Sequence, residues 1–316
     1  MAVAADSRGR EASTPREIPS RGWLEIARRV KEQIRRDRLS IIAAGVAFYG
    51  LLAIFPGLVA LVATYGLFAD PVRIEQHVAS LSSILPPEAA QVVMTQLRDL
   101  VSTNRTALGL GAIGGLLVAL WSASSAVRTL MEALNVAYKE EERRGIIRFY
   151  GTALVLTFGG VIAVIVAIAL VVGLPAFLNL IGLDWLVQTV VSMARWPILA
   201  LLAIVAFAII YRYGPSRAQP RWHWVSWGAT IAVALWIFGS ALFSLYVTRF
   251  GNYNETYGAA GAIVILLMWF LLSSYAILIG AEINAQMERQ TRKDTTSGQD
   301  RPMGARGAYA ADTVGK

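Results

Sequence analysis

The chain alternates between long uncharged apolar stretches and short blocks of charge. No charged residue lies between Arg38 and Asp70, or between Arg148 and Asp184. Each of these gaps is longer than the roughly 20 apolar residues that a helix needs to cross a bilayer. Applied to the whole sequence, the pattern predicts six transmembrane helices, near residues 39–68, 105–128, 149–173, 195–211, 224–247 and 257–281. We therefore expect an all-α polytopic membrane protein with a six-helix transmembrane domain over residues 39–288.

The segments that flank this domain have a different composition. Residues 1–20 and 289–316 are polar and lack a regular apolar repeat, so the sequence predicts two disordered tails. Residues 21–38 form the exception, because apolar positions recur there at helical spacing among many basic residues (Trp23, Ile26, Val30 and Ile34). This pattern predicts a basic amphipathic cytoplasmic helix that lies on an anionic membrane leaflet. A solvated continuation of the first span is the alternative.

The longest predicted connection between spans has an apolar pattern of its own. Within residues 70–105, two helical faces are separated by the pair Pro86-Pro87. Proline disfavours helical backbone in the residue before it, so the pair divides the segment in two. We predict a helical hairpin on the outer side of the bundle.

The positive charge of the chain is distributed unevenly. Hydrophobic residues make up 56% of the sequence and charged residues 16%, against about 25% in a typical soluble domain. The net charge of +8 could indicate a nucleic-acid partner, but basic residues also set membrane topology. With both termini in the cytoplasm, 24 of the 29 basic residues lie inside and 5 outside. The sequence therefore predicts an inner-type membrane protein with cytoplasmic termini, with membrane lipids and not nucleic acid as partners.

Residue types that carry catalysis are sparse. There is no cysteine, and the two histidines are predicted to lie on opposite sides of the membrane, so they cannot share a metal ion. The glycine-rich run at residues 109–115 falls inside a predicted span and follows no strand, which argues against a nucleotide-binding loop. The sequence predicts neither an enzyme nor a bound cofactor.

One group of polar residues is predicted near the inner membrane boundary. Arg128, Glu132 and Asn135 are spaced i, i+4, i+7 and therefore share one helical face. Glu282 and Asn284 fall at a similar depth on the last span. Because a charged side chain at this depth should face protein or water, we expect Arg128 to pair with Glu282 or Glu132. The group is either a structural ion pair or a site for a substrate or lipid headgroup.

A second polar group lies between the fifth and sixth spans. It contains Asn252, Tyr253, Asn254, Thr256 and Tyr257, and glycines punctuate it on both sides. Glycine and asparagine tolerate positive φ angles, so a tight turn is expected. The segment is either a turn with interfacial tyrosines or an outer gate that contacts a headgroup.

Several blocks of sequence together resemble the YihY/BrkB family. They are IAAGVAFYGLLAIFP at residues 42–56, LWSASSAVRTLMEALNVAY at residues 120–138, RWP at residues 195–197, FSLYVTRFGNYNETY at residues 243–257 and GAEINA at residues 280–285. The resemblance covers roughly residues 23–287 and includes the order and spacing of the blocks.

This resemblance implies a bacterial inner-membrane protein with six spans. The family once carried the label ribonuclease BN, and some members are linked to virulence, serum resistance or export of a lipopolysaccharide precursor. Because no catalytic residues are agreed for the family, none are transferred to this chain. The predicted function is a transporter or flippase of a lipid-linked or amphipathic envelope substrate. A non-catalytic envelope scaffold or assembly factor is the alternative, and a membrane ribonuclease ranks third.

Overall fold

The computed structural model describes residues 8–66, 105–174, 178, 185–250 and 259–315. Within these ranges the regular structure is helical, apart from an isolated bridge between Pro220 and Thr296. A short 3-10 turn, Pro15–Glu17, precedes helices α1 (Ser20–Arg36), α2 (Leu39–Gly66), α3 (Arg105–Tyr138), α4 (Ile146–Ile168, continued by a π-helical turn over Ala169–Gly173), α5 (Trp185–Tyr213), α6 (Trp222–Phe250), α7 (Ala259–Glu288) and α8 (Tyr309–Asp312). The predicted all-α class is confirmed.

The described helices have the lengths that membrane spans require. Four of them, α4 to α7, are long and apolar enough to cross a membrane, and α1 with α2 makes a fifth if this pair, bent by 67°, is one broken span. Helix α3 has 34 residues and covers the predicted second span. The exact number of six spans stays a prediction. The predicted outer hairpin over residues 70–105 lies almost wholly outside the described residues.

Helix α5 begins earlier than the sequence indicated. We expected the fourth span to start near Arg195 or, because that start makes it short, one turn earlier. The helix instead begins at Trp185 and has 29 residues. Arg195 therefore lies inside the helix. Its Nη1 donates to the Val171 carbonyl, 3.2 Å away at the end of α4. This contact gives the guanidinium a polar partner where the sequence suggested an exposed helix start.

Helix α7 is the central element of the bundle, in contact with α1, α2, α3 and α6. Its crossing with α6 passes through Gly228 and Gly280. A Cβ atom at Gly228 would lie 2.5 Å from the Gly280 carbonyl oxygen, and one at Gly280 would lie 2.8 Å from the Gly228 carbonyl oxygen. Small residues allow such close backbone approach between membrane helices, and this contact brings the two backbones together.

One end of the bundle carries most of the polar structure. It consists of α1, residues 139–145, residues 214–221 and residues 289–315, and we call it the basic end. The Arg143 amide donates to the Ser216 hydroxyl at 3.0 Å, and the Ala218 amide donates to the Gly307 carbonyl at 2.9 Å. The two loops and the C-terminal segment therefore form one connected layer.

The apolar face of α1 is covered by protein. Ile26 and Val30 are buried in a cluster with Trp224 of α6 and Met287 of α7. We had expected this face to lie on a membrane leaflet. That expectation is wrong for the described structure, because the same apolar repeat that suits a lipid surface also suits a protein groove.

The described parts of both tails are folded, although the sequence predicted disorder. Ala12 and Ile18 are buried near the N-terminus, and Ala310 and Ala311 are buried near the C-terminus. Arg306 is only 5% exposed and donates hydrogen bonds to four backbone carbonyls (Arg292, Lys293, Arg301 and Ala311). Such hydrogen bonds from a side chain to backbone carbonyls can order a polar segment that has no apolar repeat. A prediction from the apolar pattern therefore missed the fold of this segment.

Candidate functional site

Arg128 occupies an aromatic site and not the predicted ion pair. Its guanidinium carbon lies 4.9 Å from the Tyr150 ring centre and 5.5 Å from the Trp121 ring centre. The guanidinium also donates to the Ser124 hydroxyl. No carboxylate is within ion-pair distance of it among the described residues. The predicted pair with Glu282 or Glu132 is therefore wrong, because the electron-rich ring faces and Ser124 replace the carboxylate.

The other two residues of the predicted face of α3 have separate environments. Glu132 is exposed. Asn135 is buried and joins two loops: its Nδ2 donates to Glu142 Oε2 at 3.0 Å, and its Oδ1 accepts from the Ser216 amide at 2.7 Å. These contacts give Asn135 a structural role at the basic end.

The two predicted site residues of α7 are both fully buried. Asn284 joins α7 to α6, since its Oδ1 accepts from the Gly228 amide at 2.9 Å and its Nδ2 donates to the Val225 carbonyl at 3.3 Å. Glu282 differs, because neither of its carboxyl oxygens has a hydrogen-bond partner in the described part of the chain. The structure therefore does not gather the five predicted inner residues into one site.

The predicted outer group lies outside the described residues. Asn252, Tyr253, Asn254, Thr256 and Tyr257 fall in the gap between α6 and α7. Their proposed contact with a headgroup stays a prediction.

A cavity of about 400 Å³ opens at the basic end, and sequence analysis did not identify it. It lies between the start of α4, the end of α5 and the loops beside them. We call it the arginine pocket; its charged lining residues are Glu140, Arg143, Arg144, Arg148, Arg212 and Arg217. Five cations and one carboxylate make it an electropositive cavity.

Two of the five arginines are neutralised by carboxylates. Arg144 donates from Nη2 to Glu142 Oε2 at 2.6 Å and from Nε to Oε1 at 2.7 Å. Arg217 donates to both oxygens of Glu288, at 3.0 and 2.6 Å. These two arginines hold the walls of the pocket together and contribute little free charge to it.

The other three arginines keep unused donors. Arg143 and Arg148 are exposed, and no described residue forms an ion pair or hydrogen bond with either guanidinium. Arg212 donates to the Pro220 carbonyl and the Ser297 hydroxyl, but its buried Nε has no partner among the described residues. Unpaired guanidinium donors that line one cavity suit a phosphate or carboxylate group.

The arginine pocket lies at the start of an apolar span. Arg148 and Thr152 belong to the first two turns of α4, and the stretch of this helix that is long and apolar enough to cross a membrane begins at Ile146. Ile146 and Ile147 are 78% and 90% exposed. A ligand could therefore place an anionic group in the pocket and an apolar chain beside α4.

The sequence contained a signal for this pocket, namely two groups of arginines that we had explained by membrane topology alone. Arg143, Arg144 and Arg148 precede one span, and Arg212 and Arg217 follow the next. Both groups were explained as topology determinants. Their convergence depends on the loops at 139–145 and 214–221 being neighbours, and the hydrogen bonds of Asn135 with Glu142 and Ser216 hold these loops together.

The stability of this loop layer should depend on pH through Glu142. Burial alone would raise the pKa of Glu142, but the hydrogen bonds from Arg144 dominate and lower it to about 2. A carboxylate with a folded pKa below its unfolded value of about 4.3 stabilises the protein above that value and loses this effect on acidification. We expect the difference in thermal unfolding temperature between wild type and Glu142→Gln to shrink as the pH falls from about 4.3 to about 2. A difference that stays constant across that range would contradict the assignment.

The described residues contain no group of three or more histidine, cysteine, aspartate or glutamate side chains that could hold a metal ion. The arginine pocket itself has one carboxylate, Glu140, which accepts a hydrogen bond from the Tyr309 amide at 2.7 Å. The pocket therefore presents donors for anions and not ligands for cations.

Comparison with known proteins places the chain in a family. A family model described as "Virulence factor BrkB" matches residues 30–304. The chain belongs to the BrkB family. The resemblance inferred from the sequence blocks is thereby confirmed, and the protein is an integral membrane protein of this family.

Relatives within the BrkB family carry names that differ in kind. The chain is similar to the "putative ribonuclease-like protein YfkH" of Bacillus subtilis, with 33% identity over 79% of this chain and 90% of the relative. It is also similar to a "UPF0761 membrane protein" of Photobacterium profundum, with 28% identity over 85% of this chain and 83% of the relative. A UPF0761 membrane protein of Vibrio cholerae is 27% identical over 86% of this chain and 90% of its own length. No solved structure matches the chain.

Proposed function

We propose that this BrkB-family protein is a transporter or flippase for an anionic amphipathic substrate, such as a lipid-linked envelope precursor. The observation that carries the proposal is the arginine pocket at the start of the apolar helix α4. Its unpaired arginines match an anionic group, and the exposed apolar surface of α4 matches an acyl or prenyl chain. A binding site for a purely soluble anion would not need that surface.

The charge distribution supports a location and an orientation. Basic residues are enriched in cytoplasmic loops of bacterial inner-membrane proteins. The basic end carries α1, both loops of the arginine pocket and residues 289–315. We place this end, with both termini, in the cytoplasm of a bacterial cell, so the pocket takes its substrate from the cytoplasmic leaflet.

Two other functions rank below this proposal. A non-catalytic envelope scaffold would use the same pocket to hold an anionic lipid without moving it across the bilayer. A ribonuclease is suggested by the name of the YfkH relative, but no observation on the described residues favours phosphodiester cleavage. We therefore do not transfer the ribonuclease description from that relative to this chain.

The test is a translocation assay in reconstituted vesicles. Purified protein is incorporated into liposomes that contain either fluorescent phosphatidylglycerol or fluorescent phosphatidylcholine. We expect the protein to accelerate movement of the anionic lipid between leaflets more than that of the zwitterionic lipid. Arg143→Ala and Arg148→Ala should each slow it about tenfold, because a hydrogen bond to a charged group contributes roughly 1.5 kcal/mol.

The matched control is Arg301→Ala, which removes an exposed arginine outside the arginine pocket. It should translocate lipid at the wild-type rate. Anionic lipid that binds tightly but does not cross would favour the scaffold. Equal rates in protein-containing and empty vesicles, without binding, would contradict both.

A further inference from the structure

Glu282 is a fully buried carboxyl group without a hydrogen-bond partner among the described residues. It lies on the last turns of α7, close to a polar side chain of the same helix that does form hydrogen bonds. Asn284, two residues further, uses both ends of its amide. A buried ionised carboxylate without compensation is very costly, so such a group binds a proton or a cation.

A second carboxyl group lies beside it. Leu39, two residues after Asp37, and Ala281, next to Glu282, are buried in one apolar cluster. Asp37 is therefore near Glu282, and their charges interact. Asp37 is only half-buried, and its Oδ2 accepts from Gln33 Nε2 at 2.6 Å. It therefore connects the buried Glu282 to solvent.

The groups that face Glu282 from neighbouring elements do not neutralise it. From α3 and its end come Tyr138, whose hydroxyl has no partner in the described residues, and Lys139. Lys139 is exposed and lies 5.9 Å from the Tyr309 ring centre, and it forms no ion pair with Glu282. From the junction of α1 and α2 comes Asp37, which has the same sign as Glu282. The nearest charges thus leave the site electronegative.

We propose that Glu282 and Asp37 form a proton-binding site that reaches solvent through Asp37. One proton is taken up from water and shared by two carboxyl groups, with no other bond made or broken. Asp37 lies between α1 and α2, where the chain bends by 67° and Arg38 has a φ of 50°. A proton bound at this site is therefore held next to the junction of these two helices. It does not depend on the proposed lipid transport.

The test is modification by dicyclohexylcarbodiimide, which reacts with protonated carboxyl groups in apolar surroundings. Purified protein in detergent is treated at neutral pH and in alkaline buffer, and the adduct on the peptide that contains residue 282 is measured by mass spectrometry. We expect clear labelling at neutral pH, less in alkaline buffer and none in Glu282→Gln. Glu132→Gln, which changes an exposed glutamate of α3, should leave the labelling unchanged.

Asp37→Asn gives a second measurement that does not require loss of the site. Removing the neighbouring like charge favours the ionised form of Glu282. The labelling should then fall at a lower pH than in the wild type. Absence of labelling at neutral pH would overturn the proposal, and so would suppression by sodium ions at constant pH, which would indicate a cation site. Neither outcome depends on lipid movement, so failure here is distinct from failure of the translocation assay.

Discussion

Gly228→Val will separate α6 from α7 and cause a large loss of stability. The valine Cβ would lie 2.5 Å from the Gly280 carbonyl oxygen, which belongs to a helix backbone and cannot rotate away. The side chain would also collide with Asn284, whose Oδ1 accepts from the Gly228 amide. We expect a loss of about 3 kcal/mol or more, at or above the upper end of typical overpacking costs. Thermal unfolding in detergent, followed by tryptophan fluorescence, measures it.

A matched control separates this contact from a general effect of valine in a membrane helix. Gly160 lies in α4, and a Cβ atom there would meet no atom within 4 Å. Gly160→Val should therefore leave the unfolding temperature near that of the wild type. If both variants lost equal stability, the close approach of α6 and α7 would not be the cause.

Arg217→Met will leave a buried carboxylate uncompensated. The side chains of Arg217 and Glu288 are both 0% exposed, and two hydrogen bonds join them. Burial alone would lower the pKa of Arg217, but the attraction of Glu288 dominates and raises it. Removal of one partner from such a pair costs about 3–5 kcal/mol. Thermal unfolding, together with protease digestion of residues 289–315, should show the loss.

Two further variants test whether the buried pair is the cause. Arg217→Met with Glu288→Leu removes both charges and should recover much of the stability, since apolar replacements of buried pairs are often tolerated. Arg221→Met removes an arginine whose partner Asp300 is 76% exposed, so it should cost below about 1 kcal/mol. A double variant that is less stable than Arg217→Met would contradict this explanation.

The fold could be predicted from the sequence wherever the length of an uncharged apolar stretch determines the helix. Uncharged stretches located the long apolar helices, and α2 begins at Leu39 as predicted. The start of α5 was missed because Arg195 was treated as a boundary, although a carbonyl of α4 gives it a partner. The tails were missed because a charged residue such as Arg306 can be buried by backbone carbonyls, which a sequence pattern does not display.

The candidate site was harder to predict because it depends on which loops meet. Their spacing on α3 places Arg128, Glu132 and Asn135 on one face. Residues one turn apart on the same face can nevertheless contact different elements of the structure. Arg128 meets aromatic rings, and Asn135 meets a loop. The arginine pocket combines residues about 70 positions apart in sequence, such as Arg144 and Tyr213, whose carbonyl accepts from Arg144 at 3.2 Å.

The contact of residues 8–10 with residues 290–292 can form only late in biosynthesis. The Gln290 side chain donates to the Arg8 carbonyl at 2.7 Å, and the Arg292 amide donates to the Arg10 carbonyl at 2.7 Å. Residues 8–10 thus acquire these partners only after helix α7, which precedes residues 290–292, has been synthesised. Contacts so distant in sequence form late. During synthesis, residues 8–10 therefore stay without these hydrogen bonds until residues 290–292 are made, and chaperones or proteases can act on them in that interval.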